Sequence, residues 1–302
     1  SAALRRQRSQ VRILPGASTS MAEPLDELRD SLTGEVLVEG DREYERARLC
    51  FNLLIDRRPA AIARCVDAND VGATLAFGQT RGLEIAVRGG GHNPAGHCAV
   101  DGGLVIDLSR MRDVHVDPEN GIATCQGGAT WLDFDTATQA HGLVTPGGVV
   151  GSTGVTGLTL GGGIGHLTAQ YGLTCDKLIA ADVVSPAGKI VHASDDQNTE
   201  LLWGLRGGGG NFGVVTQAAF RLHPLERVVG GSLEYKGEGV AAALRLVREL
   251  AVSSPHELSI QAQLAMDESL APRLVVVPCY TGAGNDPEAL RTLRAVPGLV
   301  ND

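Results

Sequence analysis

The stretch Val87-Arg88-Gly89-Gly90-Gly91-His92-Asn93 decides how the rest of the chain is read. Glu84–Val87 reads as a strand, and Pro94 keeps the loop from continuing as a helix. Three glycines in a row cost backbone entropy, so they are placed where φ is positive or where backbone must touch a ligand. The unhindered N–H groups there would form a nest for an anionic group, with His92 closing it. Taken alone, the loop also fits a turn histidine with no role. A metal pair of His92 and His97 has no recognisable ligand geometry, because Pro94 and Gly96 interrupt the spacing.

Upstream, the residues around Glu43–Leu53 read as a helix and Ala60–Arg64 as a strand. Asp67-Ala-Asn-Asp70 caps a helix through Val71, Leu75 and Ala76 that stops at Gly82. Strand, helix and strand in that order imply a parallel pair with a crossover. Downstream come β-type runs at Leu104–Leu108, Asp113–Val116 and Ile122–Gln126, then a helix from Thr130 to Ala140. A second glycine-rich stretch occupies 145–167. Strands Leu178–Ser185 and Lys189–His192 make a hairpin through Pro186-Ala187-Gly188. A helix near Asn198–Leu205 leads to a third cluster, RGGGGNFG, and to a strand from Val214 to Leu222. Trp131 and Trp203, on the predicted helices, read as core residues.

Beyond Pro224 the texture changes to strand Val228–Tyr235, helix Val240–Ala251, strands Leu258–Met266 and Arg273–Pro278, and helix Pro287–Ala295. Strands and a helix left unpaired at Asp302 imply that the natural chain continues. At the other end, residues 1–20 carry four arginines and no acid before Met21. They read as a non-native or disordered leader, and the reading of an organelle transit peptide stays open.

Composition narrows the function. With 43% hydrophobic and 20% charged residues, the 302-residue chain can bury sizeable cores and is not disordered. The 40 glycines are nearly twice the usual share of roughly 7%, without a collagen period, which points to backbone-lined loops. A formal net charge of −9 argues against a nucleic-acid partner and for a small molecule. No apolar run approaches the roughly 18 residues of a membrane helix, and the body reads as cytoplasmic. The six cysteines form no C-x-x-C pair, so they read as buried small hydrophobes or free thiols rather than a metal site.

Gly208, Gly210 and Gly213 formally spell a dinucleotide-binding turn, but they follow a helix and open a strand, the reverse of what that turn needs. Gly188-Lys189 is followed by Ile190, so there is no P-loop, and no G-x-S-x-G elbow exists.

Five motifs remain: VRGGGHN at 87–93, GLVIDLSRM at 103–111, TPGG at 145–148, GLTLGGGIGHLTAQYGLTCD at 157–176 and LWGLRGGGGNFGVVT at 202–216. In order and spacing this set resembles the berberine-bridge-enzyme-like FAD-linked oxidoreductases of the vanillyl-alcohol-oxidase superfamily. The bacterial 6-hydroxynicotine oxidases are similar. The resemblance covers about 40–225 strongly and 226–302 loosely. It implies an α+β fold: a two-part FAD-binding domain of the PCMH type over 21–225, with halves at about 40–105 and 106–225, followed by an incomplete α+β substrate domain at 226–302.

The resemblance also assigns the loops. Arg88, Gly89, Gly90, Gly91, His92 and Asn93 would cradle the pyrophosphate, with His92 bonded covalently to the flavin 8α-methyl. Arg88 reads either as a partner of the pyrophosphate or as a solvated loop charge. Gly148, Val149, Val150, Gly151, Ser152, Thr153 and Gly154, with Gly157, Gly161, Gly162 and Gly163, would run along the flavin ring and ribityl chain. Gly213, Val214 and Val215 would meet the adenine half by main-chain contact. Relatives with a doubly attached flavin carry a cysteine eleven residues before the glycine triplet. Val150 stands there and Cys175 is too far along, so a single histidyl link is expected.

The implied function is FAD-dependent oxidation of a small organic substrate, an alcohol, amine or sugar-like carbon. A hydride passes to flavin N5, and O₂ reoxidises the flavin to give H₂O₂. An FAD dehydrogenase using another acceptor and a catalytically inert truncated fragment are the alternatives. His97 and His166 are the candidate catalytic side chains, although His97 reads first as a turn histidine that bonds its own loop, and the base is unassigned. Asp176 reads as a cap or brace, and Phe212 as a cofactor neighbour or a core residue.

Overall fold

The computed structural model describes residues 22–284 and 287–302, so the expected leader at 1–20 lies outside the described residues. Helix α1 (Ala22–Ser31) and strand β1 (Glu35–Leu37) come first, followed by α2 (Tyr44–Arg48), β2 (Ala61–Arg64), α3 (Ala68–Thr80), β3 (Ile85–Arg88) and β4 (Leu104–Asp107). The four strands form one sheet in the order β1-β2-β4-β3. The parallel pair expected from β2, α3 and β3 is corrected by this order: β4, buried at every position, inserts between the two and runs parallel to both. The helix expected over Glu43–Leu53 ends at Arg48, where Leu49 turns extended. Asp67 caps α3 by accepting from the N–H groups of Asn69 and Asp70. Asp70, 2% exposed, accepts three more N–H bonds, from Thr33 (2.8 Å), Gly34 (3.0 Å) and Val66 (3.0 Å), and so ties the entry of β1 to α3.

The chain then runs through β5 (Val114–Asp117), β6 (Ile122–Gln126), α4 (Trp131–Gln139), β7 (Leu143–Val144), α5 (Val155–Leu160), α6 (Thr168–Tyr171), β8 (Leu178–Val184), β9 (Ile190–Ser194), α7 (Thr199–Leu205), β10 (Val214–Arg221) and β11 (His223–Pro224). A second sheet, β5-β6-β10-β8-β9, is antiparallel throughout, and β7 pairs with β11 apart from it. Thr130 and Asp133 start α4 with a reciprocal capping box. Under this sheet Trp131, Phe134 and Phe220 meet edge to face at 5.5 Å. Trp203 is not a core residue: it is 77% exposed, because α7 turns Leu202 and Leu205 inward instead. A shared apolar cluster joins the two sheets, with Val71, Ile106, Leu108 and Met111 packed against Val184 and Val214.

A third sheet is built from β12 (Val229–Gly230), β13 (Leu233–Lys236), β14 (Leu258–Met266), β15 (Pro272–Tyr280) and β16 (Leu299–Asn301), with α8 (Gly239–Ser253) and α9 (Glu288–Arg294) between its strands. The single strand expected over Val228–Tyr235 is broken in two at Gly231-Ser232. The elements expected to be left unpaired are paired: β14 lies along the whole of β15, β16 adds to β13, and Leu290 and Leu293 of α9 are buried in the same core. Tyr235, fully buried, donates to the carbonyl of Leu293 at 3.0 Å. Among the described residues no helix is long and apolar enough to cross a membrane.

Candidate functional site

The glycine loop after β3 is held against neighbouring backbone. Gly91 has φ +70°, which favours glycine, and a Cβ on Gly90 would stand 2.3 Å from the amide nitrogen of Gly154. A Cβ on Gly154 would meet Gly90 N at 2.5 Å in return. The first and second glycine stretches therefore touch backbone to backbone. Arg88 Nη1 donates to the carbonyl of Ala47, and the guanidinium lies beside Gly91. The solvated-charge reading of Arg88 does not hold, since it braces the loop against α2.

This contact seats His92. Its Nε2 is 3.0 Å from Ser152 Oγ and its Nδ1 3.3 Å from Thr153 Oγ1. The phenyl ring of Phe51 stacks on the imidazole, and the Phe51 N–H donates to Gly91 O at 3.0 Å. Burial pulls the His92 pKa below its usual value of 6.5, which favours the neutral ring. A hydroxyl at each ring nitrogen and an aromatic ring on its face leave the imidazole little freedom, and each hydroxyl suits either tautomer. Phe51 carries no sequence signal, because an aromatic residue in a loop has no period to mark it.

The other predicted residues divide between the site and its supports. Asn93 Oδ1 accepts from the N–H groups of Ala95 (3.0 Å) and His97 (3.2 Å), and His97 is exposed, as a turn histidine would be. Gly148 lies against Trp131, whose buried Nε1 has no partner among the described residues. Val149 and Val150 are exposed, Gly151 O accepts from Leu132 N–H at 2.8 Å, and Thr153 O accepts from Trp131 N–H at 3.0 Å. Gly163 (φ +80°) packs on Thr174, and Cys175 N–H donates to Gly162 O at 2.9 Å. His166 has a buried Nδ1 with no partner among the described residues, and Asp176 accepts from Leu173 N–H at 2.8 Å, bracing the turn.

Gly157, Gly161 and Gly162 are different. Among the described residues nothing stands within 4 Å of a Cβ on Gly157 or Gly162, although a φ of +106° by itself calls for glycine at 162, and a Cβ on Gly161 would meet only carbonyls of its own turn. Gly157 lies inside α5 with no turn to make, so packing gives no reason for a glycine there. An open, Cβ-free surface beginning beside His92 is what a long flat ligand lying on backbone requires. The third cluster joins it, since Gly209 N–H donates to Leu160 O at 2.8 Å. Gly213 (φ +139°) presses on Val184 O, Val214 and Val215 are buried in β10, and Phe212 covers Gly204 and Gly208.

Residues 59–194 match the family model of the FAD binding domain. The chain belongs to this FAD-binding family, within the vanillyl-alcohol-oxidase superfamily. It is similar to (R)-6-hydroxynicotine oxidase of Paenarthrobacter nicotinovorans, 38% identical over 210 residues that make 70% of this chain and 45% of that protein. It is also similar to glucooligosaccharide oxidase of Sarocladium strictum, 35% identical over 239 residues, 75% of this chain and 46% of that protein. The crystal structure of 6-hydroxy-D-nicotine oxidase from Arthrobacter nicotinovorans superposes with a TM-score of 0.86 at 32% identity, over 90% of this chain and 61% of that one. The chain spans about half the length of the curated relatives it matches. The fold is thus that of the PCMH-type FAD oxidases, and FAD is the cofactor of the family.

Proposed function

We propose that this chain is the flavin-holding part of an FAD-dependent oxidase, that His92 carries the flavin through a single 8α-histidyl bond, and that the substrate is a small alcohol, amine or sugar-like carbon. The observation that carries this reading is the seat of His92, a half-buried imidazole with a hydroxyl at each ring nitrogen at the start of an open glycine surface. Residues 89–93 would receive the pyrophosphate, and Gly157, Gly161 and Gly162 the ribityl chain and ring. Residues 21–225 would form the FAD-binding domain, and the sheet beginning at 226 would open the substrate domain.

FAD supplies a two-electron acceptor when bound. The chain supplies position. The neutral imidazole offers an in-plane lone pair from one nitrogen while the other keeps its proton bonded to a hydroxyl. A covalent link at that nitrogen would require the imidazole to give up its N–H proton, and the bound flavin with dioxygen would take up the two electrons released. Ser152 and Thr153 stand where that proton must leave. In turnover bound FAD would supply the acceptor for a hydride from the substrate carbon, with dioxygen as the final acceptor. The relatives named as nicotine and oligosaccharide oxidases support this substrate range.

The test is the visible spectrum of the purified protein before and after acid precipitation, with mass spectrometry of the His92 peptide. Yellow colour that stays in the pellet and a peptide heavier by one FAD are expected. Flavin released wholly into the supernatant would remove the covalent link and leave FAD binding standing.

A further inference from the structure

Two buried thiols beside the His92 loop are not used by the proposed chemistry. Cys50 Sγ and Cys98 Sγ are 3.4 Å apart, and the residues are 3% and 6% exposed. They share a small apolar cluster with Ala99 and Ile55. Although 48 positions separate them, the segments they sit on are joined on both sides of the sulfurs. Asn52 Nδ2 donates to Pro94 O at 3.0 Å, and Arg57 Nη1 to Gly96 O at 3.2 Å and Ala99 O at 2.7 Å. Arg58 N–H donates to Asp101 Oδ1 at 2.8 Å, and Phe51 N–H to Gly91 O at 3.0 Å.

We infer that Cys50 and Cys98 are a peroxide-oxidisable dithiol that closes into a disulfide and staples the Phe51 segment to the loop beyond His92. A disulfide needs its sulfurs at about 2.05 Å, so closure asks for side-chain rotation and a small approach within an arrangement that already exists. The steps balance. One thiol, as thiolate, attacks hydrogen peroxide and becomes a sulfenic acid with release of one water. The second thiol then displaces the sulfenic oxygen, forming the S–S bond and releasing a second water. Two thiols lose two electrons, and the peroxide gains them.

Burial pushes the Cys98 thiol up to about 11, with Arg88 pulling slightly the other way. Thiolate is therefore scarce at neutral pH and oxidation is slow. The fixed second sulfur, not a reactive thiolate, selects this pair. Cys65 shows the contrast: its sulfur neighbours are Ala63 O and the Thr74 hydroxyl, and burial pushes it up to about 12. Both cysteines frame His92 in sequence and in space, since Cys50 precedes the ring that stacks on it and Cys98 ends the turn that leaves it. The staple thus ties the segment that carries Phe51, one wall of the His92 seat, to the loop that carries His92 itself.

The experiment treats the folded full chain with excess hydrogen peroxide, then unfolds and alkylates it for intact and peptide mass spectrometry. The peroxide is added from outside, so the result does not depend on the proposed oxidase activity. The expected product is lighter by two hydrogens before alkylation. It keeps Cys65, Cys125, Cys175 and Cys279 alkylatable, yields one cross-linked peptide pair containing Cys50 and Cys98, and unfolds at a higher temperature than the reduced chain. Cys50→Ser is expected to abolish the cross-link. Alkylation of Cys50 and Cys98 after treatment, oxygen addition at either without a cross-link, or a cross-linked chain that melts no higher than the reduced one would each overturn the inference. The wild-type mass reading stands even if the variant fails to fold.

Discussion

The ring of Phe51 lies flat against the imidazole of His92, centroids 4.3 Å apart and planes 16° apart. Ser152 and Thr153 fix the imidazole within its plane, and Phe51 fixes the tilt of that plane. A stacked aromatic pair contributes about 1 kcal/mol, a factor of about five in the population of one ring orientation. Phe51→Ala is therefore expected to slow covalent flavin incorporation about fivefold at saturating FAD, and Phe51→Tyr to restore it. Acid-precipitable flavin measured over time reads the rate. In histidine-labelled protein without FAD, the His92 ring resonances should move when Phe51 is removed. Unchanged resonances would mean that the stack does not form.

The same seat sets a pH dependence. Burial lowers the His92 pKa below 6.5, so the imidazole stays neutral to a lower pH than a free histidine. Flavin attachment is expected to be flat above about pH 6.5 and to fall at a pH below that value. The linkage to stability has the matching sign. The unfolded chain takes up this proton first, so His92 withdraws stability as pH falls from the unfolded value through the folded one. Rates of attachment measured from pH 5 to 8 give the midpoint. Ser152→Ala, which leaves Nε2 without its hydroxyl, is expected to slow attachment severalfold without removing FAD binding.

Gly157 separates a ligand surface from a packing site. Nothing crowds a Cβ there, and alanine is the better helix former by about 0.8–1.0 kcal/mol. Gly157→Ala is therefore expected to raise the melting temperature of the cofactor-free chain while weakening FAD binding about tenfold or more. Gly90→Ala, whose Cβ would stand 2.3 Å from Gly154 N, is expected to lower that melting temperature by forcing two loops apart. Thermal melts of both variants with and without FAD make the comparison. A Gly157→Ala chain that binds FAD as tightly as the parent would take the flavin away from this helix.

Much of the fold and of the His92 loop is legible in the sequence, and the misses have physical reasons. Strands such as Leu104–Asp107 and Val214–Arg221 announce themselves because β-branched and apolar residues run together. The insertion of β4 between β2 and β3 is a choice among pairings that no local pattern encodes. Helix α5 hides in a glycine-rich stretch because Val155-Thr156-Gly157-Leu158-Thr159-Leu160 has weak helix propensity. It is held by tertiary bonds such as Thr156 Oγ1 donating to Gly127 O at 2.7 Å. The motifs point to the glycine loops and to His92, whereas Phe51 and the Cys50–Cys98 contact arise from segments far apart in sequence and leave no periodic trace. Trp203 shows the opposite failure: a large apolar residue on a helix is not thereby on its buried face.

Asp135 offers a test of the core that is independent of the cofactor. It lies in α4 between Phe134 and Thr138, both buried, and burial raises its carboxyl pKa to about 6. Its folded pKa stands above the unfolded value of about 3.9, so the folded chain binds this proton more tightly. Acidification from about pH 6 to about pH 4 therefore adds stability through this group, and at pH 7 its ionised form costs up to about 3 kcal/mol, at 1.36 kcal/mol per pKa unit. Asp135→Asn keeps the shape and removes the charge. It is expected to stabilise the chain by about 1–3 kcal/mol at pH 7, with the gain shrinking toward zero near pH 4. Urea unfolding of parent and variant at the two pH values measures the difference. An equal gain at both would trace the effect to packing or helix propensity, and no gain at pH 7 would mean that the carboxylate reaches water.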